Sequence, residues 1–227
     1  MSLQSTVAGI DVGGDRKGCH LVILHGSRIV VNLNSTSPAV MLEACLDHDV
    51  IAVGIDAPCR WRTGESGRQA ERQLAQQRIA SFATPTRQQA ESNTSGFYAW
   101  MFNGERMYQT FSAHYPLFDG CLNARARFCF ETFPHAITCA KLGREVASAK
   151  LKRTQRQAVL ELTGIDTTTL KSIDDIDAAL CAQMANWLLA GQAHAYGDAL
   201  DGYIVVPHSK TGEATAGSVP LFDSQQL

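Results

Sequence analysis

Two apolar segments of the sequence end in the same tripeptide, Gly-Ile-Asp. The first segment is TVAGIDVG (residues 6–13) and the second is VIAVGIDAP (residues 50–58). The second is a nearly continuous run of Val, Ile and Ala, which is typical of a strand covered on both faces in the centre of an α/β sheet. Each strand therefore brings a carboxylate, Asp11 or Asp56, to the edge of a buried sheet.

The segments between these two strands predict how the strands are arranged. GCHLVILHG (18–26) and RIVVNL (28–33) follow the first strand across tight turns, which indicates an antiparallel meander of three strands. A helix over 37–48 then leads into the fourth strand. We therefore expect strands 1 and 4 to be adjacent and parallel, so that Asp11 and Asp56 lie close together.

The rest of the chain extends this sheet and covers it with helices. RFCFETFP (127–134) predicts a fifth strand, which gives an α/β fold with a mixed five-stranded sheet of order 3-2-1-4-5, flanked by helices. A mostly helical insertion, over about 60–126, separates strands 4 and 5. The other predicted elements are helices at roughly 150–163 and 172–190 and a short strand at 202–207.

The composition limits the class of protein. With 227 residues, 45% of them apolar, and a net charge of −2, the chain predicts a single globular domain, 1–227, with a loose tail over about 208–227. Seven cysteines without a C-x-x-C pair argue against a zinc knuckle and a disulfide framework. The first residues, MSLQSTVAGID, lack the basic and apolar regions expected of a signal sequence, and no apolar run approaches the ~18 residues of a membrane span. We therefore expect a soluble, cytoplasmic protein with reduced cysteines and no membrane contact.

The charges are unevenly distributed along the chain. Residues 60–156 contain 15 of the 20 Lys and Arg but only 7 of the 22 Asp and Glu. This pattern suits an anionic substrate held over carboxylate-bound metal, although chance clustering on solvated helices would give the same totals. All six basic residues from Arg60 to Arg87 are arginines, a type that suits bidentate phosphate contact. The first four are predicted to bind the substrate: Arg60, Arg62, Arg68 and Arg72.

The helix at 172–190 begins with SIDDIDAALCA, which contains three aspartates. Ser172 and Asp175 fit a capping box, and Asp174 in the first turn complements the helix dipole. Asp177, in contrast, lies on the apolar side of the helix. An ionised carboxylate buried there would be strongly unfavourable without a partner. Asp177 must therefore face an arginine or a divalent metal, and the sequence leaves both open.

Carboxylates from two strand ends and one helix form the oxygen-rich set that Mg²⁺ or Mn²⁺ prefers. We therefore predict that Asp11, Asp56 and Asp177 are catalytic residues and metal ligands, with Asp174, three positions earlier on the same side of the helix, as a further ligand. Asp11 and Asp56 could each instead cap its own turn through an Asx hydrogen bond. Two such cations can activate a water molecule and stabilise the leaving oxygen of a phosphodiester.

Three other features could belong to the same site. Glu131 lies in the middle of the fifth strand and is predicted to be catalytic, either as a further ligand or as a hydrogen-bonded anchor. His135 follows that strand and could be structural or could assist a proton transfer. Residues 97–118 contain eight of the 17 aromatic residues. These rings could stack on single-stranded bases or pack the insertion onto its domain.

A set of motifs resembles a known family: GIDVGG, GIDAP, FYAWMFNGERMYQTF, FETFPHA and DDIDAALCA, in this order. The family is one of predicted ribonuclease H-like nucleases from bacteria and archaea, and the resemblance covers roughly residues 6–207. It implies a ribonuclease H-like fold with acidic metal ligands, for which Asp11, Asp56 and Asp177 match by position. Asp174 matches the paired helical acid of resolvase-like members. Since the nuclease activity of the family is itself predicted from the fold, the resemblance supports the function by analogy.

The first hypothesis is therefore a metal-dependent nuclease that hydrolyses phosphodiester bonds of DNA or RNA with Mg²⁺ or Mn²⁺. The GIDVGG motif is also similar to the phosphate-binding turn of actin-like and sugar-kinase ATPases. Such enzymes close two domains over a nucleotide, so this chain would have to form a homodimer to bind ATP in that way. A non-catalytic binding module on the same fold is the third hypothesis.

Overall fold

Seven strands form one mixed sheet in the computed structural model, which describes residues 5–122 and 126–209. Their order is β3-β2-β1-β4-β5-β7-β6. The predicted order 3-2-1-4-5 and the ribonuclease H-like fold class are therefore confirmed, with two further strands at one edge instead of five strands in all. The strands are β1 (Thr6–Asp11), β2 (Cys19–His25), β3 (Arg28–Ser35), β4 (Ala52–Asp56), β5 (Phe128–Glu131), β6 (Ala193–Asp198) and β7 (Gly202–Pro207).

Helices lie on both faces of this sheet. Three of them are in the segment between β4 and β5, where the insertion was predicted. The helices are α1 (Pro38–Asp47), α2 (Gln69–Gln76), α3 (Arg87–Glu91), α4 (Ala99–Phe111), α5 (Pro134–Leu142), α6 (Lys152–Glu161) and α7 (Ile173–Leu189). Most of the predicted tail at about 208–227 lies outside the described residues. In the part of the chain that the structure describes, no helix combines the length and the apolar character needed to cross a membrane.

Two elements of the fold are absent from the prediction, α5 and β6. The strand predicted over 127–134 is shorter and ends at Glu131, and Pro134 is instead the first residue of α5, because proline is well suited to the first turn of a helix. The β6 sequence, AHAYGD, has no β-branched residue and only one aromatic residue, so it carries little of the composition typical of strands. It becomes a strand through antiparallel pairing with β7, which follows it across a short turn.

Helix α7 packs directly on β1 and β4 because both strands carry a glycine where the helix crosses them. A Cβ atom at Gly9 would lie 2.1 Å from a backbone carbonyl oxygen of α7, and one at Gly54 would lie 2.5 Å from another. Since side chains alternate along a strand, Gly9 and Asp11 face the same side of the sheet, as do Gly54 and Asp56. In each Gly-Ile-Asp tripeptide, the glycine therefore lets α7 cross the strand, and the aspartate two residues later places a carboxylate just beyond the crossing.

The isoleucine of each tripeptide faces the opposite side of the sheet. Ile10 and Ile55 are fully buried there, in a cluster that includes Met41 of α1 and Met107 of α4. The helix α7 side contains a second cluster, in which Phe130 of β5 packs with the helix. The central strands are thus covered on both faces, as their continuous apolar sequence predicts. All seven cysteines are free, and most of them are buried.

Gly9→Ala is expected to destabilise the protein by roughly 2 to 3 kcal/mol, because the added methyl group must displace the α7 backbone. Urea unfolding of the purified variant measures this cost. Gly14→Ala is the matched control, since a Cβ atom at Gly14 meets no atom within 4 Å. Equal stability changes in the two variants would contradict the close packing of α7 on β1.

Candidate active site

Asp11 and Asp56 lie side by side at the carboxyl ends of the two central strands. β1 and β4 are parallel, and Asp11 is the register partner of Asp56. Neighbouring strands are about 5 Å apart, so the two carboxylates are adjacent on the α7 side of the sheet. Both residues are partly exposed. The structure thus brings together the two strand-end acids that the topology predicted to be neighbours.

These carboxyl groups are crowded, and their pKa values reflect it. Burial, together with the negative charges of Asp177 and Asp174, raises the pKa of Asp11 to about 7. Burial, followed by the charges of Asp11 and Asp177, raises the pKa of Asp56 well above its ordinary value. Like charges act on one another in this way only at short range. Titratable groups with such shifts are typical of functional sites, although ion-pair networks produce them too.

Helix α7 contributes Asp177, and the partner of this aspartate is an arginine. The Arg156 guanidinium, on α6, donates hydrogen bonds to both carboxylate oxygens of Asp177 at 2.5 Å. The two side chains are only 12% and 10% exposed. Burial raises the pKa of Asp177 to about 6, although Arg156 opposes this shift. Of the two partners that the sequence left open, the structure contains the arginine.

The first turn of α7 is organised as the sequence predicted. The Asp175 backbone N–H donates to the Ser172 hydroxyl at 2.9 Å, and the Asp175 carboxylate accepts from the Ser172 backbone N–H at 2.8 Å. The capping box is therefore confirmed. Asp174 projects toward the loop after β1, where the Lys17 ammonium lies 3.4 Å from its carboxylate.

His20 is a residue of this region that the sequence did not single out. It is the β2 register partner of Asp11. Its Nδ1 lies 2.7 Å from the Asp175 carboxylate, and its Nε2 lies 2.7 Å from the Asn34 side-chain amide. In the sequence His20 is one residue of an apolar strand, so only the pairing of β1 with β2 shows that it lies beside the carboxylates.

His135, for which a proton-transfer role was left open, lies in the first turn of α5. Its Nε2 is 3.6 Å from the Cys139 sulfur. Burial lowers the pKa of His135, and the positive charge of Arg156 lowers it further. The role of His135 in proton transfer stays a prediction.

Glu131 faces the other side of the sheet from Asp56. Its register partner is Ile55, which alternates with Asp56 along β4. The Arg68 guanidinium donates to its two carboxylate oxygens at 2.9 and 2.6 Å, and the Cys59 backbone N–H donates to it at 2.8 Å. Of the two roles that the sequence left open for Glu131, these contacts support the anchor and not the metal ligand.

The same ion pair changes the interpretation of Arg68. The side chain is fully buried, so it cannot contact a substrate phosphate as the sequence analysis expected. Burial alone would lower its pKa, but the adjacent Glu131 carboxylate offsets this effect and the pKa is raised. The sequence does not show that Arg68, the residue just before α2, packs against β5. There its guanidinium pairs with Glu131 instead of reaching the surface.

Of the other three arginines predicted to bind substrate, Arg62 and Arg72 support a loop of the insertion and Arg60 supports the turn between β6 and β7. Arg60, Arg62 and Arg72 each donate to backbone carbonyl groups. Arg60 and Arg72 remain exposed, and Arg62 is half-buried. Binding of a substrate by these three side chains stays a prediction. The cations that act on Asp177 belong instead to α6, where Lys152 joins Arg156 in opposing the rise in the pKa of Asp177.

The donor set of this region has the chemistry that a hard divalent cation requires. Asp11, Asp56 and Asp177 supply carboxylate oxygens, and their raised pKa values show that they lack sufficient positive charge. In the structure Arg156 supplies part of that charge. No group of three or more His, Cys, Asp or Glu side chains among the described residues is already arranged to hold a metal ion. The residues therefore fit Mg²⁺ or Mn²⁺ by their chemistry, with Arg156 as the competing cation.

Comparisons with known proteins identify a family for most of the chain. The family model described as "Protein of unknown function (DUF429)" matches residues 9–201. No curated protein matches the sequence. Among solved structures, Thermus thermophilus RuvC is similar with 13% identity and a TM-score of 0.41, over 78% of this chain and 92% of that one.

A second similar structure is the nuclease domain of the large terminase subunit gp2 of bacterial virus Sf6. It has 9% identity and a TM-score of 0.33, over 96% of this chain and 85% of that domain. A mutant of that nuclease domain, solved with manganese, is similar with 10% identity and a TM-score of 0.32, over 90% of this chain and 77% of that one. Similarities this weak say nothing about which reaction the chain carries out.

Proposed function

The chain belongs to the family described as Protein of unknown function (DUF429), as its motifs predicted, and on that premise we propose that it is a metal-dependent nuclease. Its substrate is nucleic acid, DNA or RNA, and its cofactor is Mg²⁺ or Mn²⁺. The observation that supports this proposal is the crowding of Asp11, Asp56 and Asp177 at the carboxyl ends of the two central strands. Ligands of open α/β sheets bind at such strand ends.

In this proposal Asp11, Asp56 and Asp177 hold the cation, and Asp174 on the preceding turn of α7 is a further candidate ligand. A divalent cation lowers the pKa of water and stabilises the negative charge that develops on the leaving oxygen. The three carboxylates must be ionised to bind it. Their present environment disfavours ionisation, so a bound cation would have to displace protons from them as well as Arg156 from Asp177.

Besides pairing with Asp177, Arg156 is proposed to contact a phosphate of the substrate. In the structure it neutralises Asp177, which would otherwise be a buried charge without a partner. Its planar guanidinium is also suited to bidentate contact with the phosphate of a bound strand. Lys152, on the same helix, and Lys17, in the loop after β1, add positive charge for neighbouring phosphates. We therefore expect residues of α6, as well as the exposed arginines of the insertion, to contact the phosphates of the substrate.

We expect Mn²⁺ or Mg²⁺ to raise the melting temperature of the protein by several degrees and to be required for cleavage of labelled DNA or RNA strands. The physical reason is that a cation bound only by the folded state stabilises that state. Thermal unfolding and a cleavage assay, each with and without EDTA, measure the two effects. Absence of both effects would contradict the nuclease proposal.

A third condition of the same experiment, ATP with Mg²⁺, tests the nucleotide-binding alternative. Stabilisation by ATP without any strand cleavage would favour a protein of the actin-like and sugar-kinase type. A protein that responds to neither cation nor ATP would instead be a binding module on the same fold.

A further inference from the structure

The ion pair between Arg156 and Asp177 uses only one side of the guanidinium. A single nitrogen, Nη1, donates to both oxygens of Asp177 at 2.5 Å. No hydrogen bond joins Nη2 or Nε of Arg156 to a described residue, and neither of these atoms is buried. Since an arginine carries N–H donors on all three of these nitrogens, Arg156 keeps donors for a further acceptor.

Arg156 acts on all three carboxylates of the proposed metal site. Besides its contact with Asp177, its positive charge acts on Asp11 and Asp56. The Lys17 ammonium also acts on this site, but its side chain is 71% exposed. Because water screens exposed charges, the largely buried Arg156 is the stronger counter-charge of these carboxylates.

A divalent cation and the Arg156 guanidinium compete for Asp177. Both are positive, so they repel each other, and both oxygens of Asp177 already accept from Arg156. Displacing Arg156 would leave a guanidinium that is only 12% exposed without its charge partner, which is strongly unfavourable. The site therefore resists a cation unless another acceptor binds Arg156.

A phosphate group is suited to be that acceptor. Nη2 and Nε form one edge of the planar guanidinium, and such an edge binds two phosphate oxygens at once. A phosphate bound there would neutralise Arg156, so that Asp177 could exchange the guanidinium for a divalent cation. Lys152 and Arg153, on the same helix, are exposed and attract an anionic strand to it.

We propose that Arg156 couples two binding events: a phosphodiester bound to its guanidinium raises the affinity of the aspartates for the divalent cation. This inference rests on the proposed nuclease function and adds a regulation to it, because the metal site is fully loaded only with substrate. Coupling between two ligands is reciprocal, so the cation strengthens phosphate binding by the same factor. Without substrate, the pair of Arg156 and Asp177 limits metal binding.

The test measures Mn²⁺ affinity from the loss of the electron paramagnetic resonance signal of free Mn²⁺. Titrations at about pH 8, where carboxylates release protons to a cation more readily, compare dimethyl phosphate with sodium chloride at equal ionic strength. Dimethyl phosphate is a phosphodiester that binds Mn²⁺ weakly by itself. Wild type should bind Mn²⁺ about fivefold or more tightly in saturating dimethyl phosphate than in chloride.

Arg156→Gln removes the charge but keeps a hydrogen-bond donor for Asp177. In chloride this variant should bind Mn²⁺ about tenfold more tightly than wild type, and dimethyl phosphate should add nothing. Arg156→Lys keeps the charge and should retain the dependence on dimethyl phosphate, so it serves as the second variant if Arg156→Gln is unstable. Arg153→Gln, which removes an exposed charge of the same helix, is the matched control and should behave as wild type. Melting temperatures in EDTA check that each variant folds.

Three results would overturn the inference: equal Mn²⁺ affinity of wild type in both buffers, Mn²⁺ binding by Arg156→Gln no tighter than that of wild type, or a phosphate effect that persists in Arg156→Gln. The last result would mean that the anion acts on the bound cation and not through Arg156. Mn²⁺ binding without this coupling would leave the proposed metal site intact. If neither wild type nor Arg156→Gln binds Mn²⁺ in either buffer, the proposed metal site itself is wrong.

Discussion

Asp11→Asn is expected to reduce metal-dependent cleavage to background while making the metal-free protein more stable. The first effect follows because the substitution removes one of the proposed cation ligands. The second follows because Asp11 is crowded by Asp177 and Asp174, and its ionised form is disfavoured by burial. A structural aspartate would show the opposite behaviour, since its removal would cost stability. Loss of activity with a gain of stability is therefore a specific signature of a ligand site.

The stability gain should depend on pH in a defined direction. The pKa of Asp11 is about 7 in the folded protein, against an ordinary value of 3.8. Between these values the folded state binds a proton more readily than the unfolded state, so the stability of wild type falls as the pH rises through this window. Asparagine does not titrate in this pH range, so the variant lacks this contribution to the pH dependence of stability. The gain from Asp11→Asn should thus be small near pH 4 and reach roughly 1 to 3 kcal/mol above pH 7.

Urea unfolding in EDTA at acidic and alkaline pH measures this gain. Asp15→Asn is the matched control, because Asp15 follows the same strand but is exposed and contacts Arg106 at 3.6 Å. The control should keep both the cleavage activity and the stability of wild type. A fully active Asp11→Asn variant would remove Asp11 from the ligand set. A variant that is destabilised at alkaline pH would contradict the crowding of the carboxylates.

Asp177→Asn is a less decisive test, because Asp177 has two roles in the structure. Its removal would take away a proposed ligand and would also leave the Arg156 guanidinium, which is largely buried, without its charge partner. A loss of activity could then result from local unfolding of α6 against α7. Asp11 has no arginine hydrogen-bonded to it among the described residues, so its substitution separates the two causes.

The proximity of Asp11 and Asp56 could be predicted from the sequence because it depends only on topology. Two hairpins and one short helical connection place β1 beside β4, and the same tripeptide ends both strands. The partner of Asp177 could not be predicted in the same way. Arg156 lies 21 positions earlier, on a separate helix, and only the packing of α6 on α7 brings the two groups together. Burial of Asp177 requires a cation beside its carboxylate, but it does not determine whether that cation is an arginine or a metal ion.

The arginines of the insertion show a second limit of sequence analysis. Residue type and spacing indicate phosphate binding for Arg60 and Arg68 equally, yet one side chain is exposed and the other is fully buried. The difference comes from Glu131, a β5 residue 63 positions after Arg68. Since both members of this pair were assigned to the site from the sequence, a test of one member tests the interpretation of both.

Glu131→Gln is expected to destabilise the protein by roughly 3 to 5 kcal/mol, because it leaves the fully buried Arg68 without its main charge partner. Glutamine presents one acceptor oxygen instead of two, and its amide group would face the guanidinium. Glu71, with an oxygen 3.7 Å from the Arg68 guanidinium, places the effect toward the lower end of this range. Urea unfolding measures the loss, and the response to Mn²⁺ is recorded on the same samples.

Glu91→Gln is the matched control, because Glu91 pairs with Arg87 in an exposed contact along α3, and such pairs contribute little to stability. Replacing both members of the buried pair, as Arg68→Met with Glu131→Leu, should recover part of the stability, since the unpaired guanidinium is then gone, while Glu71 loses its cation but keeps the hydrogen bonds from the Thr84 backbone N–H. Stabilisation by Mn²⁺ should persist in Glu131→Gln at a temperature where the variant is folded. A variant that unfolds like wild type but no longer responds to Mn²⁺ would return Glu131 to the ligand set.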